Sequence, residues 1–189
     1  MNIVPAVVAL DVETTGLNPL NGDRIIEISL IEIAEDGKVV DKFSSLINPD
    51  REIPAETSSI NGITDDMVGD APYFRDIALK IFNFMENKTI LIHNADFDRE
   101  FLQAEFNRCG MDFPKVNGII DTLCIARRDF NFPGNSLSRI ACYYNIDITG
   151  LHRAEADAMI AYKIYRKFCE STCGNGPRKN KLDKNNNML

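Results

Sequence analysis

The chain has 189 residues, 44% of them apolar, which is enough for one filled core and too few for two ordinary domains. Its five cysteines are odd in number and contain no C-x-x-C pair, which argues against a disulfide framework and a thiolate zinc site; they read as reduced and mostly buried. A formal net charge of −7 argues against tight, sequence-independent binding of long duplexes, although the charge is uneven, with eight Lys/Arg against four Asp/Glu from Leu151 onward.

Met1 to Leu10 lacks the basic start of a signal peptide, and its short apolar run is broken by Pro5. No stretch reaches the roughly 18 apolar residues of a membrane span. The richest, Ile25 to Ala34, is interrupted by Glu27 and Glu32. A soluble, cytoplasmic protein is expected.

Val4 to Leu10 is expected as the first strand. Arg24 to Ala34 and Val39 to Ile47 follow as longer strands, joined by a hairpin turn at Glu35-Asp36-Gly37. Asn48 to Pro72, rich in Pro, Asn, Gly and Asp, is expected to be mainly loop and turns. Tyr73 to Met85 has helical spacing, with Ile77, Ile81 and Phe84 on one stripe. Thr89 to Ile92 reads as a short strand leading into a helix from about Asp96 to Cys109. Gly118 to Ile120 reads as another buried strand, followed by a helix capped by Asp121 or Thr122. A short helix is expected from Asn135 or Ser136, and a last one from Ala154 to Cys169. Three strands followed by alternating helices and strands imply an α/β fold, a mixed sheet covered by helices, over residues 1–173. The polar stretch 174–189 is expected to be a disordered tail.

Acids stand where this pattern calls for apolar side chains. Asp11 and Glu13 sit at the end of the first strand, about 6.6 Å apart on one face, where both can reach one hard cation. Oxygen-only ligands favour Mg²⁺ or Mn²⁺ over Zn²⁺. Acids at strand ends are common, so this pair alone decides little, but Thr14, Thr15 and Gly16 extend it into a tight turn that lets backbone approach a ligand. Asp96 and Asp98 both suit a helix N-terminus. Asp98, however, also lies beside Phe101 and Leu102 on the core stripe, where an unpaired carboxylate is costly. Asp157 shares a face with Ala161, Ile164 and Phe168. His152, one of two histidines with His93, stands just ahead of it. Three segments each present a misplaced carboxylate, and a divalent cluster accounts for all of them. Asp65-Asp66 in a polar turn, Asp121 as a cap and the basic residues of the tail have ordinary structural explanations.

These residues also carry a resemblance. Asp11-x-Glu13-Thr-Thr-Gly, His93-Asn-Ala-x-Phe-Asp98 and His152-Arg-Ala-x-x-Asp157 resemble, in order and spacing, the three motifs of the DEDDh, or DnaQ-like, exonuclease family. The similarity covers roughly residues 4 to 170. Weaker family-like features are Asn61-Gly-Ile-Thr64, Asp121-Thr-Leu123 and Asn135-Ser-Leu137, with Asn61 standing where many relatives have a histidine.

The resemblance implies a ribonuclease-H-like fold with a five-stranded mixed sheet flanked by helices. It implies 3′-to-5′ removal of nucleoside 5′-monophosphates from DNA, or from RNA as in the RNA-trimming members, with two Mg²⁺ or Mn²⁺ roughly 4 Å apart. By that analogy Asp11 bridges both ions, Glu13 and Asp157 hold one, Asp98 supports the other partly through water, and His152 is the general base. Thr14, Thr15, Gly16, Leu17, His93 and Asn94 fall among the substrate contacts. Single-stranded 3′ ends are the implied partner, with DNA polymerase association, and monomer or homodimer, left open. Two other readings are weaker. Phosphoryl transfer to Asp11 would need an aspartate where Glu13 stands, and a non-catalytic end-binding relative would be expected to lack one of the five catalytic positions, all of which are filled.

Overall fold

All eight residues of the first strand, β1 (Val7–Thr14), are buried or half-buried, as a strand covered on both faces requires. In the computed structural model, which describes residues 4–171, β1 is the centre of a five-stranded sheet ordered β3-β2-β1-β4-β5. β2 (Ile25–Ile33) pairs antiparallel with β1, and β3 (Val39–Leu46) antiparallel with β2. On the other side, β4 (Thr89–Ile92) and β5 (Gly118–Asp121) run parallel to β1. This is the five-stranded mixed sheet expected.

Helices cover both faces. Alternation along β1 sends Val8, Leu10 and Val12 to one side, where they pack with α3 (Phe74–Met85) and α4 (Ala95–Arg108) through Ile81, Phe101, Leu102 and Phe106. Burying one such Phe contributes about 1.5–3 kcal/mol. Val7 and Ala9 face the other way, onto Ala158, Ala161 and Tyr162 of α7 (Ala154–Ser171). The far side of α7 buries Ile160, Ile164 and Phe168 against α5 (Thr122–Asp129) and α6 (Leu137–Tyr143). α7 is therefore enclosed on two sides, which is why its apolar stripe is broad.

Three expectations need correction. The first strand continues past Leu10 to Thr14, because the cross-strand register with β2 holds through Glu13↔Glu27 and breaks only at a bulge after it. The segment 48–72 is not mainly loop: it holds α1 (Ala55–Asn61) and α2 (Asp65–Val68), whose surroundings bury Ile53, Ile63 and Val68 on Ile26 of β2. Helices this short draw their stability from such tertiary contacts rather than from their composition. Asp65 and Asp66 thus open a helix, and Asp65 also accepts the Ile53 N–H. The cysteines are not mostly buried: Cys124 and Cys142 are exposed and Cys109 and Cys169 half-buried, because α5 and α6 turn Leu123, Ala126, Ile140 and Ala141 inward instead. Cys173 and the tail 174–189 lie outside the described residues. Among the described residues no helix is long and apolar enough to cross a membrane.

Candidate active site and metal centre

Because β1 alternates, Asp11 and Glu13 project from the face that Val7 and Ala9 present to α7. The first turn of α7 delivers Asp157 to the same place, one helical turn before Ala161. The carboxylate oxygens of Asp11, Glu13 and Asp157 lie within 4.8 Å of one another. Asp98 arrives from the opposite layer, on the first turn of α4, and is nearly fully buried. β4 pairs with β1 only at Val8 and Ala9, and further along β1 Asp98 Oδ1 takes the Val12 N–H at 3.1 Å. Asp98 is therefore a neighbour of the cluster and not one of the three clustered acids.

Electrostatics agree with that geometry. Burial, followed by the charges of Asp98, Asp157 and Glu13, raises the Asp11 carboxyl well above its ordinary value. Burial lifts Glu13 to about 7 even though Asn61 donates to it. Burial likewise lifts Asp157 to about 6, against the backbone N–H and the charge of His152. For acids crowded and desolvated in this way burial outweighs the nearby positive charge, and an oxygen-only site of this kind suits a hard divalent cation.

His152 is exposed and adopts φ +66, in the left-handed region that glycine favours and that histidine, like asparagine and aspartate, enters more readily than most other residues. Its backbone N–H donates to Asp157 Oδ1 and Oδ2 at 3.3 and 3.2 Å, so the turn before α7 is tied to the cluster.

A family model described as "Exonuclease", of the ribonuclease T type, matches residues 8–165. The chain belongs to the DnaQ-like exonuclease family. This DnaQ-like exonuclease is 40% identical over 174 residues to the DNA polymerase III subunit epsilon of Buchnera aphidicola subsp. Schizaphis graminum, covering 87% of this chain and 75% of that one. With the Escherichia coli K12 subunit epsilon it shares 34% over 167 residues, 84% of this chain and 69% of that one. Among solved structures, exonuclease I has the same fold, with TM-score 0.76 at 20% identity, covering 89% of this chain and 41% of that one. Exonuclease X, solved with 5′ overhanging duplex DNA, gives TM-score 0.68 at 27% identity, covering 88% and 93%. The ribonuclease-H-like expectation stands with these neighbours.

The remaining residues singled out in the sequence of this DnaQ-like exonuclease fall around the cluster. A cleft of about 540 Å³ is lined by Asp11, Asp157, His93, Asn94, Asn135 and Arg127, among others. His93 is held rather than free, with Nδ1 on the Thr122 hydroxyl at 2.8 Å and Nε2 on the Asn135 carbonyl at 3.1 Å. The hydroxyls of Thr14 and Thr15 are also engaged internally, on the Gly16 carbonyl and on Asp23. Gly16 also has a packing reason: a Cβ there would sit 2.3 Å from Asp23 Oδ2. What this turn offers outward is Leu17, 84% exposed.

Glu27 escaped the sequence, as did the long-range contacts of Asn61 and Asp121. Glu27, buried on β2, is the cross-strand partner of Glu13 and is paired with Arg153. The Asn61 carboxamide donates to Glu13 at 3.4 Å. Asp121 caps two helices at once, taking the N–H groups of Asn94 and Ala95 at α4 and of Leu123 and Cys124 at α5. For Glu27 the advance signal was a charge inside the apolar run of β2; Asp121 caps α5 as expected, and its hold on α4 is the part not foreseen.

Proposed function

We propose that this DnaQ-like exonuclease removes nucleotides one at a time from the 3′ end of DNA, releasing nucleoside 5′-monophosphates. Two Mg²⁺ or Mn²⁺ would be held by Asp11, Glu13 and Asp157, with Asp98 supporting the second. The observation that carries this reading is the convergence of β1 and α7 on three carboxylates, one oxygen of each lying within 4.8 Å of the others. When bound, the ions supply charge neutralisation at the scissile phosphate and activation of water.

The chain's own residues do the rest. The cleft beside Asp11 and Asp157 receives the terminal nucleotide, and Leu17, exposed at the turn after β1, offers its base an apolar contact. His152 takes a proton from the attacking water as the new P–O bond forms on the terminal 5′-phosphate. The bond from that phosphorus to the 3′ oxygen of the penultimate nucleotide breaks, and that oxygen takes a proton from solvent, leaving a shortened strand with a 3′ hydroxyl. Exposure of His152 lets the proton pass on to solvent. An imidazole within reach of the water suits the general-base role. The preference for DNA and for replication proofreading rests on the relatives, which are named as subunits of DNA polymerase III. Association with a polymerase belongs to the same proposal.

Digestion of 5′-labelled single-stranded DNA, matched RNA and mismatched-end duplex, each with Mg²⁺, Mn²⁺ or EDTA, tests this. The expected result is a ladder shortening from the 3′ end on DNA and abolished by EDTA. Preferential cutting of RNA would move the enzyme to the RNA-trimming class. A ladder that persists unchanged in Asp157→Asn and His152→Ala would refute the assigned roles.

A further inference from the structure

Glu27 and Glu13 face each other across β1 and β2, so two carboxylates project from one face of the sheet at adjacent positions. Such a like-charge pair is unfavourable by itself. Glu27 nevertheless stays outside the carboxylate cluster, because both of its oxygens are already occupied. Arg153 Nη2 reaches Oε1 at 2.6 Å, Arg153 Nε reaches Oε2 at 3.0 Å, and the Ala154 N–H donates to Oε2 at 2.9 Å. A fork of this geometry fixes orientation as well as charge. It also lies next to the one strained residue of the turn, since His152, with φ +66, immediately precedes Arg153. A left-handed histidine persists only when its surroundings over-determine it. Here it is held on one side by Asp157 and on the other by Glu27, through Arg153 and the first N–H of α7.

Resting on the exonuclease reading above, we propose that Glu27 and Arg153 are positioning residues that latch the His152 turn onto the sheet, setting where the general base stands relative to the carboxylate cluster. Neither touches the substrate. Glu27 bonds the backbone entering α7, and Arg153 neutralises the carboxylate that would otherwise crowd Glu13. The sheet thus fixes His152 through β2, a strand that contributes no ligand of its own. Removing either partner frees the same turn, so the two losses overlap instead of adding.

The test compares Glu27→Gln, Arg153→Gln, Arg153→Lys and the Glu27→Gln/Arg153→Gln double variant with wild type and His152→Ala on labelled single-stranded DNA at saturating Mg²⁺. Arg153 is partly exposed, so its variants retain the fold, as a thermal melt verifies; Glu27→Gln keeps the shape of the buried side. Expected are a fall in kcat on the order of 10- to 100-fold, the range seen when groups that orient a functional side chain are lost, and a KM within about twofold of wild type. The double variant should be no worse than the poorer single one, and Arg153→Lys should recover part of the activity. The profile of kcat against pH should lose its histidine-dependent acid limb and approach that of His152→Ala, whereas a merely structural role would leave its shape intact. Variants with wild-type kcat and profile, in an enzyme that cuts normally, would overturn the latch alone. A wild type that makes no EDTA-sensitive ladder would overturn the latch and the exonuclease reading together.

Discussion

The backbone N–H of His152 points at both oxygens of Asp157, at 3.3 and 3.2 Å, so the candidate base and a candidate metal ligand share one turn of chain. Moving either displaces the other. His152 itself is exposed and makes no large burial contribution, which separates its effect on rate from its effect on stability.

His152→Ala should therefore lower kcat by about 10²- to 10⁴-fold, the usual span for losing a general base, with little change in melting temperature. His152→Gly should be equally slow yet slightly more stable, since glycine adopts the φ of +66 without penalty. Single-turnover rates and melting curves check both halves. A His152→Ala enzyme within a few-fold of wild type would remove His152 from the chemistry.

The buried acids make stability depend on pH and metal in a defined direction. A folded carboxyl pKa of about 6 for Asp157 lies above its unfolded value, so the native state binds the proton more tightly than the unfolded chain. The metal-free protein loses that advantage as pH rises from about 4 through 6, up to about 3 kcal/mol for a shift of roughly two units. In EDTA, Asp157→Asn should melt above wild type at pH 7 and converge with it near pH 4. Saturating Mg²⁺ should raise the wild-type melting temperature and leave the variant nearly unmoved, because ligation needs the ionised form. Equal melting temperatures for the two proteins in EDTA across this range would show that the acids are not strained.

Gly16→Ala tests the turn. Its Cβ would fall 2.3 to 2.7 Å from the Asp23 carboxylate, which also receives Thr15, Asn18 and Arg51. Such overpacking costs about 1–3 kcal/mol. Displacement of the neighbouring Leu17 should raise KM more than it lowers kcat. A Gly16→Ala/Asp23→Gly double variant should show less than the summed losses. Additive losses would mean that the two residues do not meet.

Asp121→Ala removes the acceptor of four backbone N–H groups at the starts of α4 and α5. Each lost cap costs about 0.5–2 kcal/mol. Asp98 rides on the first turn of α4, so activity should fall along with stability. Although burial opposes ionisation, the Cys124 thiol and these N–H groups outweigh it and hold the Asp121 carboxyl below its usual range. Its contribution is thus present above the unfolded pKa and lost as pH falls, opposite in sign to that of Asp157. In denaturant titrations the gap between wild type and Asp121→Ala should be widest at pH 7 and shrink as the pH is taken below the ordinary aspartate range.

The sequence revealed those parts of the site whose logic is local. Period-two alternation in β1 placed Asp11 and Glu13 together, and helical spacing exposed Asp98 and Asp157 as acids on core-facing stripes. The sheet followed from the order of strands and helices. What was hidden depends on pairs far apart in the chain. Glu27 and Arg153 are 126 residues apart, Asn61 and Glu13 are 48 apart, and neither side of such a pair announces its partner. α1 and α2 were missed for a related reason, since what holds them is Ile26 on β2 rather than their own polar composition.

The central place of β1 has a consequence for how the enzyme fails. Its amides are shielded by neighbouring strands and by a helical layer on either side, so in hydrogen exchange they should be among the last to trade with solvent. The surface turn bearing His152 should open far more readily. Under gentle warming or low denaturant, cutting should therefore cease while the sheet is still intact, and resume on cooling without any global refolding.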